Sequence, residues 1–581
     1  MANVLENPVY RNNMSRYGYD MSQHVDFTSS VGQLIPCYYD LLYPGDKVTM
    51  DATMLTRMQP MLTSTPLKLK EHIDWFFVPY SQIFKPFESF IYGVNSNRTS
   101  LIDIQSLSAQ LPKFSLHELY TALGLEDVGG DLPASTPVVS DLFGSSRVAN
   151  VRRLFQALGY GDPFTMAFAD AINSGDEGAV TETGAISFSL SLLAAYQKIY
   201  YDYYRLEDRE TNEPFNYSLD QFYQRVDSIT GAELQPFLEL HYRPWKKDFF
   251  TNLYVSPIFA GSNNIGGIGK ELAFDVKNWL TNYSAFFPAG ANNAVDVDDP
   301  RTTGMYIDRA SADEPVNAAN LRLMFAVDKL MEVTRRAGKN YRDQTAAHFG
   351  FNPPKNDSQV YYLKSDTSDI GIGEVTSTAN TVGNVQGQYG DGSALGEIAG
   401  RGFGIGNGRK ESFTAPCHGF LMAIYSCVPD ATYSAKGIDR INTFIKREDF
   451  YQPEFGEQGM QPLFAEQFDF GTSSTLNSLV LGWQYRYMES KMKKDVCMTG
   501  FNGTLSYWIP RREYISKDLD SYLIPPYYLN SVMLVPYNGF DQETKEDNLG
   551  NNVFDTDPLL HFFDMKVFKS SSMPTYGLPN L

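Results

Sequence analysis

The chain has 581 residues, of which 43% are hydrophobic, 14% aromatic and 20% charged. That length suits about four domains, or one domain carrying very long loops. Its 48 Lys and Arg against 68 Asp and Glu leave a net charge of −20, which excludes a protein whose main task is to coat phosphate, because that work runs on cations releasing counterions.

No stretch reaches the roughly 18 apolar residues of a membrane-spanning helix. The opening MANVLENPVY lacks the charged-then-apolar build of a signal peptide. A soluble, unprocessed product is expected. Pro44, Gly45 and Asp46 form the first turn signal, combining a fixed φ, a permissive φ and a side-chain acceptor. A strand follows, with Val48, Met50, Ala52 and Met54 on one side and Thr49, Asp51 and Thr53 on the other. HIDWFFVPY predicts a second strand ending at Pro79.

In residues 191–205, Leu192, Tyr196, Ile199 and Tyr203 step by three and four as a helical stripe, with Lys198 and Asp202 off it. Residues 317–341 repeat the pattern through Met324, Val327, Met331 and Thr334, with Asn317 or Asn320 as cap and Gly338 as stop. Two segments have no useful period. Residues 260–318 and the Gly-, Ser- and Thr-rich residues 365–412 read as long loops, which are usually functional or ordered by a partner. Strand patterns return in GFLMAIYSCVPD (419–430), apolar on both faces, in LSYWIP after Gly503, and in LLHFFDMKVFK (559–569). Strands near both ends around a different middle predict a mainly β chain, one antiparallel domain over 1–581 built from distant segments.

Chemistry is sparse. GFGIGNGRK (402–410) has alternating glycines followed by a strand, not the strand, GxGxxG and helix that cradle a pyrophosphate. Gly269 and Lys270 miss the Walker pattern, with Asn264 for the leading Gly and Glu271 for the Ser or Thr. No HExxH or GxSxG occurs. Cys37, Cys417, Cys427 and Cys497 contain no CxxC pair and read as reduced, buried thiols; Cys417 and His418, adjacent on a strand, would point to opposite faces. Asp296, Asp298 and Asp299 are weak metal candidates, lacking the turn glycine and distal carboxylate of a calcium loop. Neither a catalytic constellation nor a cofactor is expected, although paired carboxylates for glycoside hydrolysis are a three-dimensional property.

Basic residues cluster at Arg243, Lys246 and Lys247, at Arg335 and Arg336 with Lys339 and Arg342, and at Lys491, Lys493 and Lys494. Solvated helix ends and strand edges are one reading. Tyr242, Trp245, Tyr485 and Tyr487 interleave with these clusters, and stacking beside a cation is how single strands are held, so a local nucleic-acid contact is the other. The aromatic load and long loops favour assembly over turnover. A carbohydrate-active β enzyme and a monomeric adhesin-like module remain the competing readings.

Several segments resemble the major capsid proteins of microviruses, small icosahedral phages with circular single-stranded DNA, and especially the gokushovirus-like branches. VGQLIPCYYDLLYPGD, HIDWFFVPYSQIF, AYQKIYYDYYR, HYRPWKKDFFTN, LRLMFAVDKLMEVTRRAGKNYRDQTAAHFG, CHGFLMAIYSCVPDATYSAKGIDR, DFYQPEFGEQG and LGWQYRYMESK fall in that family's order between residue 31 and about 490. Ala337 with a single Gly338, and SPIF at 256–259, depart from its pattern. The resemblance implies an eight-stranded antiparallel jelly roll with long, partly helical insertions. It also implies self-assembly, on the order of 60 copies in closed icosahedral symmetry, around a single-stranded DNA genome. A small basic DNA-binding internal protein would neutralise phosphate, scaffolding proteins could assist, and residues 260–318 would form a surface protrusion that meets a host receptor. The product would reside in the virion after assembly in the bacterial cytoplasm, without membrane insertion.

Overall fold

The computed structural model describes residues 15–58, 69–92, 111–123, 147–162, 187–206, 217–255, 276–278, 305–307, 326–337, 341–351, 359–376, 398–455, 459–470, 478–505, 511–512 and 557–575, apart from short gaps within these. Strands from both ends of the chain meet in one curled antiparallel sheet. They are β1 (Tyr17–Asp20), β2 (Gln23–Ser29), β3 (Ile35–Leu42), β4 (Lys47–Met58) and β5 (Leu69–Pro79), followed by β6 (Tyr361–Thr376), β7 (Ile398–Asn407), β8 (Glu411–Thr414), β9 (Gly419–Pro429) and β10 (Leu559–Ser571).

Their order is β1, β10, β4, β7, β6, β5, β9, β3. β2 lies beside β1 along the same flank of β10, and β8 continues β7 along β4, so ten strands fill eight positions. β6 turns the corner: residues 361–370 pair with β5 and residues 371–376 with β7. The sheet thereby folds over itself as a jelly-roll sandwich. The turn between β3 and β4 carries the chain across, with Gly45 at φ 84° and the Asp46 carboxylate accepting the Tyr43 N–H at 3.0 Å.

The alternation in β4 has the expected cause. Val48, Met50, Ala52 and Met54 point inward with Phe563, Met565 and Val567 of β10, and pack against Trp75 and Phe77 of β5 and Leu421, Ala423 and Tyr425 of β9. β5 and β9 have a second apolar face because a third layer covers it. Phe76, Val78, Phe420, Met422 and Ile424 pack beneath α1 (Leu116–Leu123), α2 (Arg147–Ala157) and α3 (Ser191–Ile199). A smaller cluster packs Phe250, from the connection between β5 and β6, against Tyr433, Leu463 and Phe468 of the connection from β9 to β10.

Three expectations need correction. Residues 365–412 are not one long loop, since β6, β7 and β8 occupy most of them and only 377–397 lie outside the described residues. The glycines at 402, 404 and 406 belong to β7, and Gly408 follows it. They line the inner side of the corner, where a Cβ on Gly402 would lie 3.1 Å from Ile370, and one on Gly406 would lie 2.6 Å from the Ser368 Cβ and 2.7 Å from Met54. Lys198 and Asp202 are not on an open side of their helix, because they are buried as an ion pair at 2.9 Å. The segment carrying Cys417 and His418 is a bend, not a strand, and the His418 ring sits edge-on to Tyr43 and Phe87. The four thiols are free; Cys37, Cys427 and Cys497 are buried as expected, whereas Cys417, in the bend, is only half-buried.

Gly406→Ala is expected to destabilise by about 1–3 kcal/mol through overpacking. Gly371→Ala is a control, since its nearest neighbour would be 4.0 Å away. Denaturant midpoints of the unassembled chain check the pair; equal midpoints would refute the packing account.

The strand expected at LSYWIP lies outside the described residues except for Leu505, which is in a turn. Of the helix expected over 317–341, the described positions between 326 and 336 are helical, whereas Met324, Val327 and Met331 lie outside them. Within 260–318, Val276–Asn278 pairs antiparallel with Met305–Ile307, a ladder the sequence did not suggest. No helix among the described residues is long and apolar enough to cross a membrane.

Candidate functional site

The character of one face changes midway along β5. Val78 and Phe76 lie under the helical layer, whereas the same-face positions Asp74, His72 and Lys70 are polar and line an open groove of about 610 Å³. Cross-strand pairing extends this floor: Thr367 of β6 and Ser426 of β9 flank His72, and Ser365 flanks Asp74. A polar floor in a buried strand is a local departure from the strand's apolar pattern, so it marks where the helical cover stops.

Two walls complete the groove. After α3 the helix widens into a π turn over Tyr200–Tyr204, which sets Tyr203 and Tyr204 beside the sheet. The Tyr203 hydroxyl donates to the Val360 carbonyl at 2.5 Å and accepts the Tyr362 N–H at 3.1 Å. Tyr362 remains 41% exposed. The other wall is Arg243, Pro244, buried Trp245 and exposed Lys246. Arg243 is held in place, donating at 2.8 Å both to Asp74 and to Ser426, and Asp74 also accepts from the Tyr204 hydroxyl at 2.6 Å.

The electrostatics divide the cations by role. Arg243 already has a carboxylate, and Lys70 lies 3.9 Å from Asp430, while Lys246 has no carboxylate partner among the described residues. Burial, followed by the nearby Arg243 charge, pushes the His72 imidazole down to about 4, so it is neutral at ordinary pH. Its Nδ1 is buried without a hydrogen-bond partner among the described residues. The residues lining the groove thus include a part-exposed tyrosine, an ammonium without a carboxylate partner among the described residues, and an imidazole with an unsatisfied buried nitrogen.

The structure thus brings Arg243 and Lys246 together in this groove, with Lys247 exposed next to them. Lys491 and Lys493 are exposed elsewhere, beside Lys494, whose ammonium lies 5.3 Å from the Phe250 ring centre and donates to the Gln467 carbonyl at 3.3 Å. Burial pushes the Lys494 ammonium down. The cavity beside Lys493 and Lys494 holds only about 20 Å³, room for about one water. Arg336 is exposed and 3.6 Å from Glu332. Arg335, Asp296, Asp298 and Asp299 lie outside the described residues. Among the described residues no group of three His, Cys, Asp or Glu side chains could hold a metal ion.

Sequence reasoning missed Lys70, His72 and Tyr362, and read Tyr203 as a core stripe. Its available signal was the polar run at alternate positions 70, 72 and 74, ahead of apolar 76 and 78.

A family described as capsid protein (F protein) matches residues 8–128 and 173–517. The capsid protein VP1 of Chlamydia phage 1 is 22% identical over 582 aligned residues, covering 85% of this chain and 86% of that protein. The capsid protein VP1 of Bdellovibrio phage phiMH2K is 25% identical over 218 residues, covering 36% of this chain and 38% of that protein.

Proposed function

From the premise that this chain belongs to the phage capsid protein (F protein) family, and is a major capsid protein of microvirus kind, we propose how its copies do that work. On the order of 60 of them close into an icosahedral shell around a circular single-stranded DNA genome, each acting through its flanks and none as an enzyme. Weak contacts repeated around closed symmetry give strength while letting errors dissociate during growth.

The observation that carries this reading is the family match over residues 8–128 and 173–517. The sandwich supports it. On the outer face of its β4 layer, Ile405 pairs with Leu55 and Leu55 with Phe562, with Ile405 62% and Phe562 38% exposed. Phe403, 46% exposed, lies two residues from Ile405 on the same face. Such contiguous apolar surface suits contact with another protein.

In this reading Arg243, Lys246, Lys247, Arg335, Arg336, Lys491, Lys493 and Lys494 are the candidate genome contacts, aided by a small basic internal protein because the shell itself is acidic. Residues 260–318 form the outward insertion that meets a host receptor. Assembly takes place in the host bacterial cytoplasm, with or without scaffolding proteins. The whole chain acts as one jelly-roll domain with this insertion.

Negative-stain imaging of purified protein is expected to show uniform closed particles, and a label placed within 260–318 should be accessible on them. A monodisperse monomer at high concentration and physiological salt would overturn the shell, and a label shielded inside intact particles would overturn the receptor assignment.

A further inference from the structure

We infer that the groove between β5 and the Arg243–Lys246 wall holds one nucleotide of single-stranded DNA, with the base on the Tyr362 face and a phosphate at Lys246. This rests on the capsid reading for the presence of such a strand. The choice of ligand comes from the groove itself.

Tyr362 with its part-exposed ring, Lys246 without a carboxylate partner among the described residues, and His72, whose buried Nδ1 has no hydrogen-bond partner among them, line the same cavity. The ligand that answers all three is flat and aromatic, carries a hydrogen-bonding group on its edge, and is negatively charged nearby. A nucleotide has these parts in one unit. Base stacking on an aromatic side chain supplies sequence-tolerant affinity, and the phosphate contact supplies salt dependence. The cavity volume of about 610 Å³ lies within the usual range of small-ligand clefts.

The walls are built to stay in place. Arg243 is tied to Asp74 and Ser426, and Tyr203 is tied to both Val360 and Tyr362. These bonds hold the ring and the basic segment apart across the polar floor, so little ordering remains to be done when a base enters. A duplex keeps its bases stacked inside, which makes it a poor fit for a groove that needs one base face free.

The test is fluorescence anisotropy of full-length unassembled protein with a labelled single strand of about 12 nucleotides, at several salt concentrations. Tyr362→Ala is expected to weaken binding about tenfold with the salt slope unchanged, whereas Tyr362→Phe binds as the parent does. Lys246→Ala, a change at an exposed side chain that folding should tolerate, is expected to weaken binding and lower the salt slope by about one. Parent-like binding by both Lys246→Ala and Tyr362→Ala, equal binding of a duplex, or no binding of the strand would each overturn the inference. Imaging the same protein after transfer to high concentration and physiological salt separates the two readings: closed particles with an inert groove sink only this inference, and absence of particles there sinks the shell.

Discussion

Lys198→Met is expected to cost the unassembled subunit about 3–5 kcal/mol, because it strands a buried carboxylate. The side chains of Lys198 and Asp202 are 7% and 1% exposed and lie one helical turn apart at 2.9 Å. Asp202 also accepts the Val360 N–H at 2.9 Å, tying the helix to the segment that leads into β6. The ammonium is boxed in further, 4.5 Å from the centre of the Tyr217 ring. Burial already raises the Asp202 carboxyl, and Lys198 opposes that rise, so its loss drives the carboxyl further up.

Two consequences make the cause identifiable. The penalty should shrink under acid conditions, where Asp202 takes up a proton and no charge is stranded. The double variant Lys198→Met with Asp202→Asn should recover most of the loss, because the amide oxygen can still accept from Val360. Guanidinium unfolding of the three proteins reads both. A double variant no more stable than Lys198→Met would show that the lysine matters for its packing instead of its charge.

The helix holding this pair shows why part of the fold was legible and part was not. A stripe through Tyr196, Ile199 and Tyr203 identified a helix, but periodicity names the most apolar side and not the number of neighbours. Here neighbours stand on every side, so Lys198 and Asp202 entered the core together. The strands were clearer. Alternation in β4 and β10 follows from one buried face, and the unbroken apolar run of β9 follows from two.

The Gly-rich residues of β7 were misread for the opposite reason. Their inner face is filled by side chains of β6 and β4, and a strand whose partners provide the packing looks like a loop in composition. The groove was half legible. Arg243 and Lys246 drew attention as a basic cluster beside Trp245, while the floor required knowing that residues 70, 72 and 74 share a face with Phe76 and extend past the helical cover. Such a floor assembles from β5, β6 and β9, with paired residues as distant in sequence as His72 and Ser426, and no local pattern reports that juxtaposition.

Glu71→Gln is expected to stabilise the subunit by about 3 kcal/mol above pH 7 and by almost nothing below pH 4.5. Glu71 is fully buried between the layers, where its carboxylate accepts from the Tyr425 hydroxyl at 2.9 Å. Burial, only partly opposed by hydrogen bonds, pushes the carboxyl from 4.5 to about 7. Between those values the folded chain holds a proton that the unfolded chain has released, so stability falls as pH rises, and the loss is complete above about 7. Glutamine keeps an acceptor for Tyr425 and removes the titration.

His561 acts in the opposite direction. It is buried 3.9 Å from Glu71, bonded to Ser29 at 2.7 Å and Thr56 at 2.9 Å, and burial pushes it from 6.5 to about 3. In that window the unfolded chain binds the extra proton, so stability falls as pH drops. The two slopes, each about 1.4 kcal/mol per pH unit, cancel from about 4.5 to 6.5. His72 and His241, pushed down to about 4 and about 3, add to the histidine side, so the informative quantity is the difference between variant and parent at each pH. That difference should climb from pH 4.5 to 7 and then stay level. A gain equal at pH 5 and pH 8 would mean that Glu71 does not titrate in this range and that the network linking β2, β4, β5, β9 and β10 responds to acid through its histidine alone.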